Sequence, residues 1–251
     1  MGPFKFKQFQ VFHNRSALKV GVDGVLIGAW AGRILREKEV SLHRGLDVGC
    51  GCGLIALMLA QSLPEIHIDA LDIDHDSADE AALNFNASRW ASRLKVIESD
   101  ICSFADREIN KEKYDLIVSN PPFFNSGLSD MKTSRELARH QGNLSPLNLI
   151  RMSRTLLKSG GLLFMIAPYS QKDEIISEIH GSDLVTARIC EVRDSEKKNP
   201  KRIMIEFRKI EKISEDSNPI IPEKESITLR NSEGEYTDKY KKLTGEFYLN
   251  F

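Results

Sequence analysis

The run Ser119-Asn120-Pro121-Pro122-Phe123-Phe124 holds the most distinctive chemistry in the chain. Two consecutive prolines remove two backbone donors and stiffen the segment, so the Asn120 amide oxygen and the Pro121 carbonyl are presented as fixed acceptors. Two acceptors suit an NH2 group. A planar amino group conjugated to a ring or carbonyl is a poor nucleophile, and accepting hydrogen bonds from both its hydrogens favours the pyramidal form whose lone pair can attack an electrophilic carbon. No general base is needed first, because the proton can leave once the nitrogen has become positive. Phe123 offers a face on which a base lifted from its stack can lie.

A second constellation is Leu46-Asp47-Val48-Gly49-Cys50-Gly51-Cys52-Gly53-Leu54. Glycine is needed where the backbone turns tightly and a ligand approaches, and the helix that follows supplies unpaired N–H groups. The glycines alternate instead of following the G-x-G-x-x-G dinucleotide spacing, and an acid, Asp47, enters the turn. That argues against a pyrophosphate and for a cationic or amino-acid ligand. Asp72, at the end of the next apolar run, stands where nucleotide-binding sheets place the acceptor for ribose hydroxyls; Asp74 is the alternative, or a helix cap. Asp100 ends the third run, where it could accept from an adenine amino group.

These residues need a scaffold that brings strand ends together. From Gly45 to Phe207 short β-branched runs alternate with longer mixed segments, the pattern of a parallel sheet covered on both faces. Strands are expected at Leu46 to Val48, His67 to Ile73, Lys95 to Glu98, Leu116 to Ser119, Leu162 to Ala167, Ala187 to Val192 and Ile203 to Phe207, with helices over Leu54 to Ser62, Ser77 to Ala91 and Ser145 to Leu157. The run Lys19 to Trp30 reads as a turn feeding a helix, and Glu211 to Ser226, charged and proline-bearing, as a linker. Trp30 and Trp90 read as core residues.

With 251 residues and 41% apolar content the chain can bury one α/β core. Its net charge of -1 excludes a uniformly basic coat, so a nucleic-acid partner would have to meet a local cluster. There is no run long enough for a membrane span and no signal-peptide apolar region, which makes a cytoplasmic protein the expectation. Cys50, Cys52, Cys102 and Cys190 read as reduced thiols without a metal site.

Together the glycine loop, Asp72, Asp100 and Asn120-Pro121-Pro122-Phe123 resemble class I S-adenosylmethionine-dependent methyltransferases, in the branch that methylates planar amino groups. The resemblance implies a Rossmann-like, doubly wound, mostly parallel seven-stranded sheet with an antiparallel last strand. It implies S-adenosyl-L-methionine as cofactor, held by Asp47, Gly49, Gly51, Gly53, Asp72 and Asp100 with Asp23 and Asn120, and Asn120, Pro121, Pro122 and Phe123 as the catalytic set. The flanks narrow it further. Phe6-Lys7-Gln8-Phe9, His13-Asn14-Arg15, Lys19 to Trp30, Arg135 to His140, Tyr236 to Tyr240 and Phe247-Tyr248-Leu249 resemble the bacterial tRNA1(Val) adenine-37 N6-methyltransferase family, from near residue 4 to the C-terminus. The sequence departs from that pattern at Val22, where threonine stands in the family, and at Phe123, where tyrosine is common.

On this reading residues 1–251 form one methyltransferase domain, with 1–44 as a cap, 45–210 as the core and 211–251 as linker and extension, acting on a valine tRNA as a monomer without a metal. RNA contacts are expected from Lys5, Lys7, Arg15, Lys19, Arg135, Arg139, His140, Lys197, Lys198, Lys201 and Arg202, the run from Lys197 foremost because it precedes the last strand at the same sheet edge. A dinucleotide oxidoreductase fails on the glycine spacing and has no use for Asn120-Pro121-Pro122. A non-catalytic nucleotide- or RNA-binding module would not need that arrangement. Methylation of a release-factor glutamine or of a ribosomal RNA base are the alternatives within the class.

Overall fold

The computed structural model describes residues 2–17, 19–38, 41–122, 144–211 and 220–250. A short ribbon of β1 (Phe4–Lys5) and β2 (Gln10–Val11) opens the chain, followed by α1 (Val22–Glu37). The alternating core then runs β3 (Arg44–Val48), α2 (Leu54–Ser62), β4 (His67–Asp72), α3 (His75–Asn86), β5 (Leu94–Glu98), α4 (Ile101–Ala105), β6 (Tyr114–Ser119), α5 (Pro146–Leu156), β7 (Leu157–Pro168), α6 (Lys172–Glu178), β8 (Leu184–Ser195) and β9 (Arg202–Lys209). It ends in β10 (Glu223–Arg230) and α7 (Asp238–Thr244).

The main sheet has the order β10-β8-β9-β7-β6-β3-β4-β5. Strands β3 to β7 are mutually parallel and β9 lies antiparallel between β7 and β8, so the seven expected strands, the antiparallel last one among them, are all present. The chain order reverses between β3 and β6, and in such sheets ligands bind beyond the strand ends at that switch point. The loops leaving these two strands are the glycine turn and Asn120-Pro121-Pro122. Two apolar clusters, one on each face, fill the space between sheet and helices.

The linker reading needs correction at its end, because residues 223–226 begin an eighth strand paired parallel to β8. The charges that suggest a linker are partners instead. Glu225 accepts from Trp30 Nε1 at 2.6 Å and from Arg33, and Glu223 pairs with Arg188 at 2.8 Å. Trp30 is fully buried against Phe164, as a core residue should be. Helix α3 opens on Asp74, not Ser77: the Asp74 side chain accepts from the Ser77 N–H and Oγ at 2.9 and 2.8 Å.

Helix α1 carries Gly24, Gly28 and Gly32 at intervals of four, on one face. Glycine inside a helix costs about 1 kcal/mol relative to alanine, yet a Cβ at these positions would stand 3.1, 2.9 and 2.7 Å from Leu54, Met58 and Ser62 of α2. The stripe therefore lets α1 lie close against α2, running the same way, and brings Val22 and Asp23 beside the glycine turn.

Candidate functional site

The turn after β3 follows from its glycines. Gly49 and Gly53 have φ of 69° and 80°, and a Cβ on them would come within 2.6 Å of Leu144 and 2.4 Å of Phe85. Gly49 and Cys50 N–H groups donate to the Leu71 carbonyl at 2.8 and 3.0 Å, and Gly51 N–H donates to Asp72 Oδ2 at 2.8 Å. The other Asp72 oxygen accepts from Asp74 N–H at 3.0 Å. Burial raises the Asp72 pKa above the usual carboxylate value, against the lowering effect of these N–H groups.

A pocket opens beside this loop. Ala17, Leu71, Ile73, Ile101 and Leu144 make it apolar, and Asp72 and Asp100 bring carboxylates to it. Its lining has the chemistry a nucleoside calls for, apolar walls for a flat base and carboxylates for hydroxyl or amino groups. Asp100 also caps α4, its Oδ1 accepting from Cys102 and Ser103 N–H at 3.0 and 3.2 Å.

A second, more polar cleft shares the Gly49, Gly51 and Pro122 walls with the first. Asn120, Pro121, Asp23, Lys19 and Arg202 complete it. Asn120 Oδ1 is buried and has no hydrogen-bond partner among the described residues. Its neighbour Ser119 locks the tip of β6 to β3 through a 2.7 Å bond to the Val48 carbonyl. Asp23 forms an ion pair with Arg202, whose other arm reaches Asp194 at 2.6 Å. Burial pushes the Asp23 carboxyl above its ordinary pKa, and Arg202 offsets only part of this.

Asp47 departs from the expected ligand contact. It is fully buried behind the turn, lines neither cavity, and accepts from Ala56 N–H at 3.0 Å, so it fixes the start of α2. Burial pushes its pKa up to about 7. Cys50 and Cys52 are free, buried thiols, and burial pushes Cys52 up to about 12. No group of three His, Cys, Asp or Glu side chains that could hold a metal occurs among the described residues.

The basic residues divide. The β8–β9 turn carries exposed Lys197, Lys198 and Lys201, the last 3.5 Å from Asp194, and leads into Arg202, which lines the cleft together with Lys19. Lys7 corrects the expectation that the cations all gather at the mouth. Lys7 Nζ donates to the Gly245 carbonyl at 2.5 Å, and the adjacent Glu246 pairs with Arg36 at the far end of α1. Arg15 is paired with Asp76 and Asp79, and Arg202 is committed to two carboxylates. Phe123, Arg135, Arg139 and His140 lie outside the described residues.

Sequence reasoning missed Ala17 and Leu144 as cavity walls, and the polar face of α3 that holds the segment before Ala17. Its only signal was the buried polar spacing Ser77, Glu80, Asn84 on a helix otherwise read for its apolar residues.

Residues 33–183 match the family described as the methyltransferase small domain. The fold is similar to that of a predicted O-methyltransferase from Agrobacterium tumefaciens, with TM-score 0.65, 17% identity and coverage of 90% of this chain and 96% of that one. It is also similar to an S-adenosylmethionine-dependent O-methyltransferase from Thermotoga maritima, with TM-score 0.54, 17% identity and coverage of 75% and 66%. The fold is thus that of the class I methyltransferases. A chain from Parabacteroides distasonis is 38% identical over 247 residues, covering 98% of this chain and 97% of its own. One from Photorhabdus laumondii is 36% identical over 249 residues, covering 99% and 96%. Both are named tRNA1(Val) (adenine(37)-N6)-methyltransferase, and this chain belongs to that family.

Proposed function

We propose that this protein methylates N6 of adenosine 37 in tRNA1(Val), the reaction its relatives are named for. The observation that carries the reading is the buried Asn120 Oδ1, without a hydrogen-bond partner among the described residues, in a cleft that shares three walls with the pocket lined by Asp72 and Asp100. The residues lining the two would hold S-adenosyl-L-methionine, which would supply an electrophilic methyl group. The glycine turn, whose Gly49 leaves no room for a Cβ, fits the methionine part. Asp72 binds the ribose and Asp100 contacts the base. Asn120 Oδ1 and the Pro121 carbonyl accept from the two hydrogens of the target amine and aim its lone pair. Phe123 stacks on the flipped base, and Asp23 orders the donor side of the cleft. Catalysis comes from alignment and exclusion of water.

The tRNA docks on the β8–β9 turn through Lys197, Lys198 and Lys201, with Lys19 at the cleft and Arg135, Arg139 and His140 on the segment after the motif. On this reading the chain acts as one domain and as a monomer in the cytoplasm; no described helix is long and apolar enough to cross a membrane. Nucleoside mass spectrometry of purified tRNA1(Val) from cells with and without the gene tests this. The modified adenosine should vanish with the gene and return with it; its persistence in the deletion strain would refute the assignment.

A further inference from the structure

The segment before α1 has no sheet partner for residues 12–17, and its backbone is held by the side chains of α3. Phe12 N–H donates to Asn84 Oδ1 and the Phe12 carbonyl accepts from Asn84 Nδ2, each at 2.8 Å. Glu80 accepts from Asn14 N–H at 2.7 Å, from Arg15 N–H at 3.1 Å and from Ser16 N–H at 2.7 Å. Ala17 N–H reaches Ser77 Oγ at 3.3 Å. Glu80 and Asn84 are 2% and 1% exposed. Asn84 Nδ2 also donates to the Cys52 carbonyl at 2.9 Å, so the same amide holds the glycine turn. The ladder ends at the nucleoside cavity, which Ala17 and Ser77 both line.

A buried carboxylate is costly unless its lone pairs are answered, and here backbone N–H groups from three successive residues answer it. Apolar packing alone would anchor a surface segment; this arrangement instead fixes its position relative to the turn. We propose that Glu80 and Asn84 are positioning residues for the methyl donor: they hold segment 12–17 as a wall of the nucleoside cavity and tie that wall to the glycine turn. The proposal rests on the reading of that cavity as the cofactor site. It assigns donor residence to a helix face that makes no contact with the reacting atoms.

The test uses the full chain and S-adenosylhomocysteine as probe. In the unaltered protein, saturating probe should slow hydrogen exchange at the amides of residues 14–17 by about tenfold, the effect of about 1.4 kcal/mol, and leave β10 unchanged. In Glu80→Gln and Asn84→Ala, probe dissociation by stopped flow should quicken about tenfold, the scale of one lost hydrogen bond. The KM for the donor should rise while the KM for tRNA stays put, a split that general destabilisation would not produce. Unchanged exchange at 14–17 on probe binding, or equal shifts in both KM values, would overturn the proposal. The exchange measurement stands even if a variant fails to fold. Absence of probe binding to the unaltered protein would overturn the cofactor reading, and this inference with it.

Discussion

On one side of the wall formed by Gly49, Gly51 and Pro122, the carboxylates already have partners; on the other, a buried acceptor has none among the described residues. Asp72 is held by two backbone N–H groups, while Asp74 and Asp100 cap helices. Each oxygen keeps a lone pair for a ligand hydroxyl or amine, but its position is fixed before any ligand arrives. Asn120 Oδ1 is fixed by a proline-stiffened strand tip, and no described residue meets its hydrogen-bonding capacity. A buried unsatisfied acceptor costs about 1–3 kcal/mol. Retaining one is explained when a ligand completes it. On the proposed function the donor cavity is thus a finished grip, and the cleft an unfinished one that the target amine would close.

That contrast can be broken most forcefully at Asn120. Asn120→Ala should lower kcat by about 10²-fold, the scale of removing one preorganised polar group from a transition state, with donor affinity by calorimetry nearly intact. Equal losses in both would merge the two regions into one site. Asp72→Ala should do the reverse, weakening donor binding by about 1.5–3 kcal/mol and changing kcat at saturation far less. On the RNA side, replacing Lys197 and Lys198 together with alanine should lower the salt dependence of tRNA binding by roughly two units in the slope of log K against log salt. An unchanged slope would remove that turn from the interface.

The smallest effect concerns stability. Burial lifts the Asp47 pKa from 3.8 to about 7, so the folded state holds this proton more tightly than the unfolded state. Its contribution to stability is present below about pH 4 and is lost as pH rises to about 7. The urea midpoint of the ligand-free protein should fall across that window, less so in Asp47→Asn. Identical profiles would show that Asp47 stays ionised throughout.

Much of this was readable from residue types. The alternating glycines, Asp72 and the Asn-Pro-Pro run are short, local signals, and the strand pattern placed them at one sheet edge. What escaped was encoded between segments. The linker reading of Glu223 to Ser226 failed because the charges answer Arg188, Trp30 and Arg33, none near in sequence. The Gly24, Gly28, Gly32 stripe has meaning only against α2. Asp47 looked like a ligand acid because it abuts the glycines, but strand alternation turns it inward.

The central claim is that Asn120 Oδ1 and the Pro121 carbonyl receive the target amine. A crystal structure of the protein with S-adenosylhomocysteine and a tRNA1(Val) anticodon stem-loop tests it most directly. Adenosine 37 should lie flipped into the cleft with N6 within about 3.2 Å of both oxygens. An N6 group seated elsewhere, with Asn120 Oδ1 bonded back into the protein, would contradict it.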